Sequence, residues 1–221
     1  MADFEIAIHN AVEFVFPDCF IRGCRFHLGQ SWWRKIQKLD LTQSYRDPNS
    51  EVGQFLHHVF GLPLLDPNLV ANSFVDIFMA NKPDCPKLTK FCDYLIEYYI
   101  AEDSLFPPSL WAEKTAAPSK TTNACESFHS KFNSFFYETH PNIVIFCEIL
   151  TRVMIDSRIL INSAEKTKNT VRSQVKKKQI FLQTQIDILN SVNPASKEKF
   201  KKALRDFLFC VSYKNSPNTF I

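Results

Sequence analysis

The sequence predicts a mainly α fold, and three observations carry that prediction. Only four glycines (Gly23, Gly29, Gly53, Gly61) occur in 221 residues, too few for a strand-rich fold built on tight turns. From residue 47 onward, segment after segment repeats apolar residues at helical spacing, and several open at a proline that suits the first turn of a helix. One stretch, residues 20–26, reads as a strand.

In chain order, Asp3 is placed to cap a first helix whose apolar stripe is Phe4, Ala7, Ile8, Ala11, Val12 and Val15. Pro17 and Asp18 end it. The strand follows, with Gly23 inside it and Cys24 and His27 at its far end. A second helix is expected over 28–39, with Trp32, Trp33, Ile36 and Leu39 as its apolar positions. Helices over 49–60, 68–81 and 86–101 form the next block, each opening near an Asp-Pro or Cys-Pro pair. A proline-bearing loop at 106–120 leads to the stretch TTNACESFHSKFN, where Ala124, Phe128, Phe132 and Phe135 would bury one face of a helix. Glu126, His129 and Asn133 share a different face. That polar set suits a divalent cation or a phosphate, but Asn123 capping the helix with Glu126 reaching back accounts for the same spacing. Long helices are expected over 143–162 and 171–190, and a last one from 194 with Phe200, Ala203, Leu204, Phe207 and Leu208 buried. The tail 214–221 is expected to be loose.

Hydrophobic content of 45% and charged content of 22% place the chain among ordinary globular proteins. A glycine-rich phosphate loop is excluded by the glycine count. Seven cysteines without regular spacing, and no signal-peptide pattern, point to a reducing intracellular compartment. No apolar run approaches the ~20 residues that span a bilayer. The charge is asymmetric: residues 1–150 carry 12 basic and 18 acidic side chains, whereas residues 151–221 carry 14 basic and 5 acidic, net +9. Arg172, Lys176, Lys177 and Lys178 concentrate that charge on one expected helix, either as a solvated face or as a phosphate-neutralising surface.

Two groups of residues together resemble the transposase domain of Mutator-like elements. The first is Asp3-Phe4-Glu5-x-Ala7, Asn10-Ala11, Phe16-Pro17 and Gly23-Cys24-x-Phe26-His27-x-x-Gln30. The second is Phe106-Pro107-Pro108-x-Leu110-Trp111, Thr122-Asn123-Ala124-x-Glu126-x-x-His129 and His140-Pro141-Asn142-Ile143. Their order and rough separations agree with the family over residues 3–145.

The resemblance implies a ribonuclease-H-like α/β core, here one or two strands, interrupted by an all-helical insertion and followed by a helical C-terminal region. It divides the chain into a core remnant (1–45), the insertion (46–105), a core helix with a carboxylate (106–150) and a basic helical region (151–221). In the family, three carboxylates hold two Mg²⁺ or Mn²⁺ ions that activate an attacking oxygen on a DNA phosphate. By position, Asp3 matches the second carboxylate and Glu126 the third, as catalytic residues and metal ligands. Cys24, His27, Asn123 and His129 are motif positions near them. If the family fold is kept, the carboxylates of Asp3 and Glu126 converge. The family's first aspartate and the strands around it have no counterpart in these residues, which leaves a sheet edge to be covered by a partner or a second copy.

The expectation is therefore a fragment of such a transposase. It would be nuclear, bind DNA weakly and without sequence preference, and be unable to cut DNA alone. Two other readings remain: a domesticated helical protein-interaction module, and a nuclease completed by another chain. Cys24 and His27 are half of a possible zinc set, with Cys19, Cys125 or His129 as completing ligands, or a small buried thiol beside a packed imidazole.

Overall fold

The computed structural model describes residues 1–115, 123–138, 140–164, 173–192 and 197–214; within its helices, the side chains of 123–126, 129, 164, 173–175, 197 and 211–214 fall outside the description. The helices are α1 (Ile6–Val15), α2 (Arg25–Lys38), α3 (Thr42–Arg46), α4 (Glu51–Val59), α5 (Pro67–Ser73), α6 (Pro86–Leu95), α7 (Pro108–Trp111), α8 (Asn123–Asn133), α9 (Ile143–Ala164), α10 (Ser173–Ser191) and α11 (Lys197–Lys214). The mainly α prediction holds. Two compact units emerge: Met1–Thr121 with Lys177–Ile221, and Thr122–Lys176.

In the first unit, extended pairing among the described residues reduces to one parallel bridge, Ala2 with Gly23. Ala2 N–H donates to the Arg22 carbonyl at 2.8 Å and Cys24 N–H to the Ala2 carbonyl at 2.8 Å. On its other side Gly23 N–H donates to the Leu110 carbonyl at 2.8 Å. The strand expected over 20–26 is thus not formed beyond the single bridge at Gly23, and α2 starts at Arg25 rather than 28. Its stripe of Leu28, Trp32 and Ile36, each fully buried, already extends back to Cys24, so helix packing claims those residues.

Asp3 is not the cap of α1. Glu5 holds that position without a side-chain bond, and Asp3 Oδ1 instead accepts from Phe4 N–H at 2.6 Å. The face that α1 turns inward also differs from the expected one. His9 is buried, whereas Ile6, Ile8 and Val15 are exposed.

Local chemistry explains the middle of the unit. Ser50 caps α4 by accepting from Gly53 N–H, and Asp66 caps α5 through Asn68 N–H, with Pro67 at the first helical position. Gly53 is where α3 and α4 meet closely, since a Cβ there would lie 2.1 Å from the Ser44 carbonyl oxygen. The helices expected over 68–81 and 86–101 are present but not uniform: α5 runs into a π turn at Phe74–Phe78 and a 3₁₀ turn at Met79–Asn81, and α6 into a π turn at Ile96–Ile100.

The core of this unit centres on Trp32, whose ring meets Phe60, Tyr99 and Trp111 at 5.6–5.9 Å. Leu56, Val59, Leu62, Leu65, Leu88, Phe91 and Leu95 surround it, and α10 and α11 close it with Leu182, Ile186, Leu189, Leu204, Phe207 and Leu208.

In the second unit, Phe128, Phe132 and Phe136 follow one another at i, i+4 along α8 and the turn after it, and Phe146 of α9 joins Phe132 at 5.7 Å and Phe136 at 5.9 Å. Phe128 and Phe135 are exposed, contrary to the stripe expected on α8. The helix ends at Asn133, so Phe135 falls off the face and Phe136 takes its place.

Candidate functional site

The residues around Asp3 bring the two halves of the first motif group into contact. Phe4 lies over Gly23: a Cβ on that glycine would come within 2.5 Å of the Phe4 ring. Tyr99 at 5.9 Å and Phe106 at 5.2 Å hold the same ring edge-on. Phe106 is itself the first residue of the Phe-Pro-Pro motif. Trp111 fixes this corner by donating its indole N–H to the carbonyls of Phe106 at 2.9 Å and Tyr99 at 3.2 Å.

With its neighbour so packed, Asp3 sits between two imidazoles. Its carbonyl accepts from His9 Nε2 at 2.6 Å, and a carbonyl can only accept, so the His9 proton is on Nε2. Its carboxylate Oδ1 lies 3.5 Å from His27 Nδ1, with the Asp3 side chain about half exposed. Tyr99 closes the polar corner. Burial pushes its phenol above the ordinary range and the Asp3 charge adds to that push, against hydrogen bonds from Tyr94 and Ser31. Sequence reading missed His9 and Tyr99. His9 sits next to an apolar stripe in a helix, where nothing marks it as a partner of Asp3.

Cys24 is fully buried at the amino end of α2, tied by its backbone to Ala2, as the small-thiol reading requires. Among the described residues, no group of three or more His, Cys, Asp or Glu side chains could hold a metal ion. A pair of hard cations takes several oxygen ligands. The described residues bring one carboxylate, Asp3, and one imidazole, His27, which do not by themselves fit such a centre. Asn123, Glu126 and His129 recur on α8, but their side chains, and with them the expected capping and the convergence of Glu126 with Asp3, lie outside the described residues.

Of the basic run, Lys176 and Lys177 are exposed on α10, and Arg172 lies outside the described residues. Lys178 is half-buried. Burial lowers its ammonium pKa, and the nearby charge of Arg25 lowers it further. Among the described residues no helix is long and apolar enough to cross a membrane. Comparison with protein-family models, with curated proteins and with solved structures found no match.

Proposed function

We propose that the chain is a fragment of a Mutator-like transposase that binds DNA weakly and without sequence preference, in the nucleus, and does not cut it alone. One observation carries the reading. Ala2 and Gly23 pair in parallel across the helical connection α1, with Asp3 directly after the first paired residue. The bridge seats the two motif pieces side by side, with Asp3 Oδ1 3.5 Å from His27 Nδ1. The contact of Phe4 with Gly23 gives a physical reason for the two motif pieces to occur together.

DNA as partner is supported by the net charge of +9 after residue 150. Inability to cut follows from the ligand count. Members of the family it resembles use Mg²⁺ or Mn²⁺ on three carboxylates, and the resemblance supplies two, Asp3 and Glu126. Of the basic run, Lys176 and Lys177 are exposed and available to phosphates.

A second reading, a protein-interaction module, draws on α1 and the segment after it. Phe14, Phe16 and Phe20 are 89%, 57% and 95% exposed, an apolar strip suited to a partner or a second copy. A gel mobility shift separates the two. The transposase fragment retards duplex DNA at low salt, more weakly in Lys176→Glu, and releases it as salt rises. An interaction module retards nothing at any salt.

A further inference from the structure

In the second unit, α9 has two unlike sides. Phe146, Ile149, Leu150, Val153 and Ser157 form the half-buried side, where Phe146 meets the rings of Phe132 and Phe136. The opposite side carries Ile145, Glu148, Arg152, Ile155 and Ile159. Their spacing alternates between three and four residues, which confines them to about a quarter of the helix circumference. Ile145, Ile155 and Ile159 are 49%, 55% and 61% exposed, and Glu148 and Arg152 are exposed between them. A groove of about 510 Å³ runs along this side, between the rows Cys147–Thr151–Ile155 and Glu148–Arg152–Asp156. Rows at four-residue spacing are the ridges between which a second helix seats.

The order of residues in the row says which helix. Read about its midpoint near Leu150, Ile145 and Glu148 mirror Ile155 and Arg152. A second α9 running antiparallel therefore sets Ile145 against Ile155 and Glu148 against Arg152, twice over by the two-fold symmetry. A parallel copy in register sets Glu148 on Glu148 and Arg152 on Arg152. Charges inside an apolar helix seam cost stability unless each meets its opposite, and they fix orientation and register when it does. A lipid surface would strand both charges in hydrocarbon, and a DNA phosphate would meet the Glu148 carboxylate. From Ile145 to Ile159 the seam is roughly 21 Å long, which places the contact among small, weak interfaces.

We propose that the exposed side of α9 is a homodimer interface, in which α9 of a second copy packs antiparallel with two reciprocal Glu148–Arg152 ion pairs at its centre and Ile145–Ile155 contacts on either side. The dimer forms without DNA and with micromolar affinity. Its interface lies on the second unit and is separate from the exposed phenylalanines of the first.

The test is analytical ultracentrifugation of the full chain over a micromolar concentration series, without DNA and with a reductant that keeps the exposed Cys147 from cross-linking. Four samples accompany the natural chain: Arg152→Glu, Glu148→Arg, the double variant Glu148→Arg/Arg152→Glu, and an equal mixture of the two single variants. The natural chain should show a monomer–dimer equilibrium. Each single variant faces like charges across the seam and should dimerise at least about tenfold more weakly. The double variant and the mixture restore opposite charges at both pairs and should regain the natural dimer, which also shows that the variants fold. A natural chain that stays monomeric at every concentration would overturn the proposal. So would single variants that dimerise as tightly as the natural chain, or a loss that neither the double variant nor the mixture repairs.

Discussion

At the scale of single residues, what matters most is how closely the backbone passes beside aromatic rings. Gly23→Ala would drive a methyl into a Phe4 ring that Tyr99 and Phe106 prevent from swinging aside. The expected loss is about 1–3 kcal/mol of stability, read from the urea midpoint. The substitution also shifts the backbone that carries Asp3. A second prediction concerns pH. Burial lowers the pKa of His57, overriding the Tyr45 carbonyl that it donates to at 3.0 Å; burial and then the His57 charge lower that of His58. In the unfolded chain both imidazoles gain a proton near pH 6.5, roughly. The folded chain resists that proton, so the unfolded state binds more protons below that pH. Stability is fully present above it and falls as pH drops through the lower folded values. The urea midpoint should therefore decline on acidification, and His58→Gln should flatten the decline. Neither effect could be read from the sequence, because a His-His pair on a helix does not reveal that both rings end half-buried.

At the scale of elements, legibility followed the amount of apolar surface each one buries. The stripe expected for the last helix is the one observed: Leu204, Phe207 and Leu208 are buried, with Phe200 and Ala203 packed beside them. The proline-led helices α5 and α6 were equally readable, although their π turns were not, since a π turn leaves the apolar spacing almost intact. The first helix misled because periodicity reports an apolar face but not whether anything covers it. A matched pair of substitutions tests this contrast. Leu204→Ala should cost about 2–5 kcal/mol, as a truncation in a packed core does, whereas Phe14→Ser should change stability by less than about 0.5 kcal/mol. Urea unfolding of both variants checks the pair. Equal losses would mean that the α1 face is covered in solution.

At the scale of the whole molecule, nothing in the local pattern shows that Leu182, Ile186, Leu189, Leu204, Phe207 and Leu208 return to complete the core built around Trp32. Such closure depends on contacts far apart along the chain, which local pattern does not encode. The matching of Asp3 and Glu126 as a carboxylate pair rests on the resemblance alone. Of that pair, the structure describes the surroundings of Asp3. The central claim, a DNA-binding transposase fragment that does not cut alone, is tested most directly with supercoiled plasmid, the full chain and Mg²⁺ or Mn²⁺, read on one native gel. The expected result is retarded plasmid at low salt that is released by added salt and stays supercoiled throughout. Nicked plasmid that disappears with Glu126→Gln would contradict the claim by revealing a working nuclease, and plasmid that is never retarded would contradict it by removing DNA as the partner.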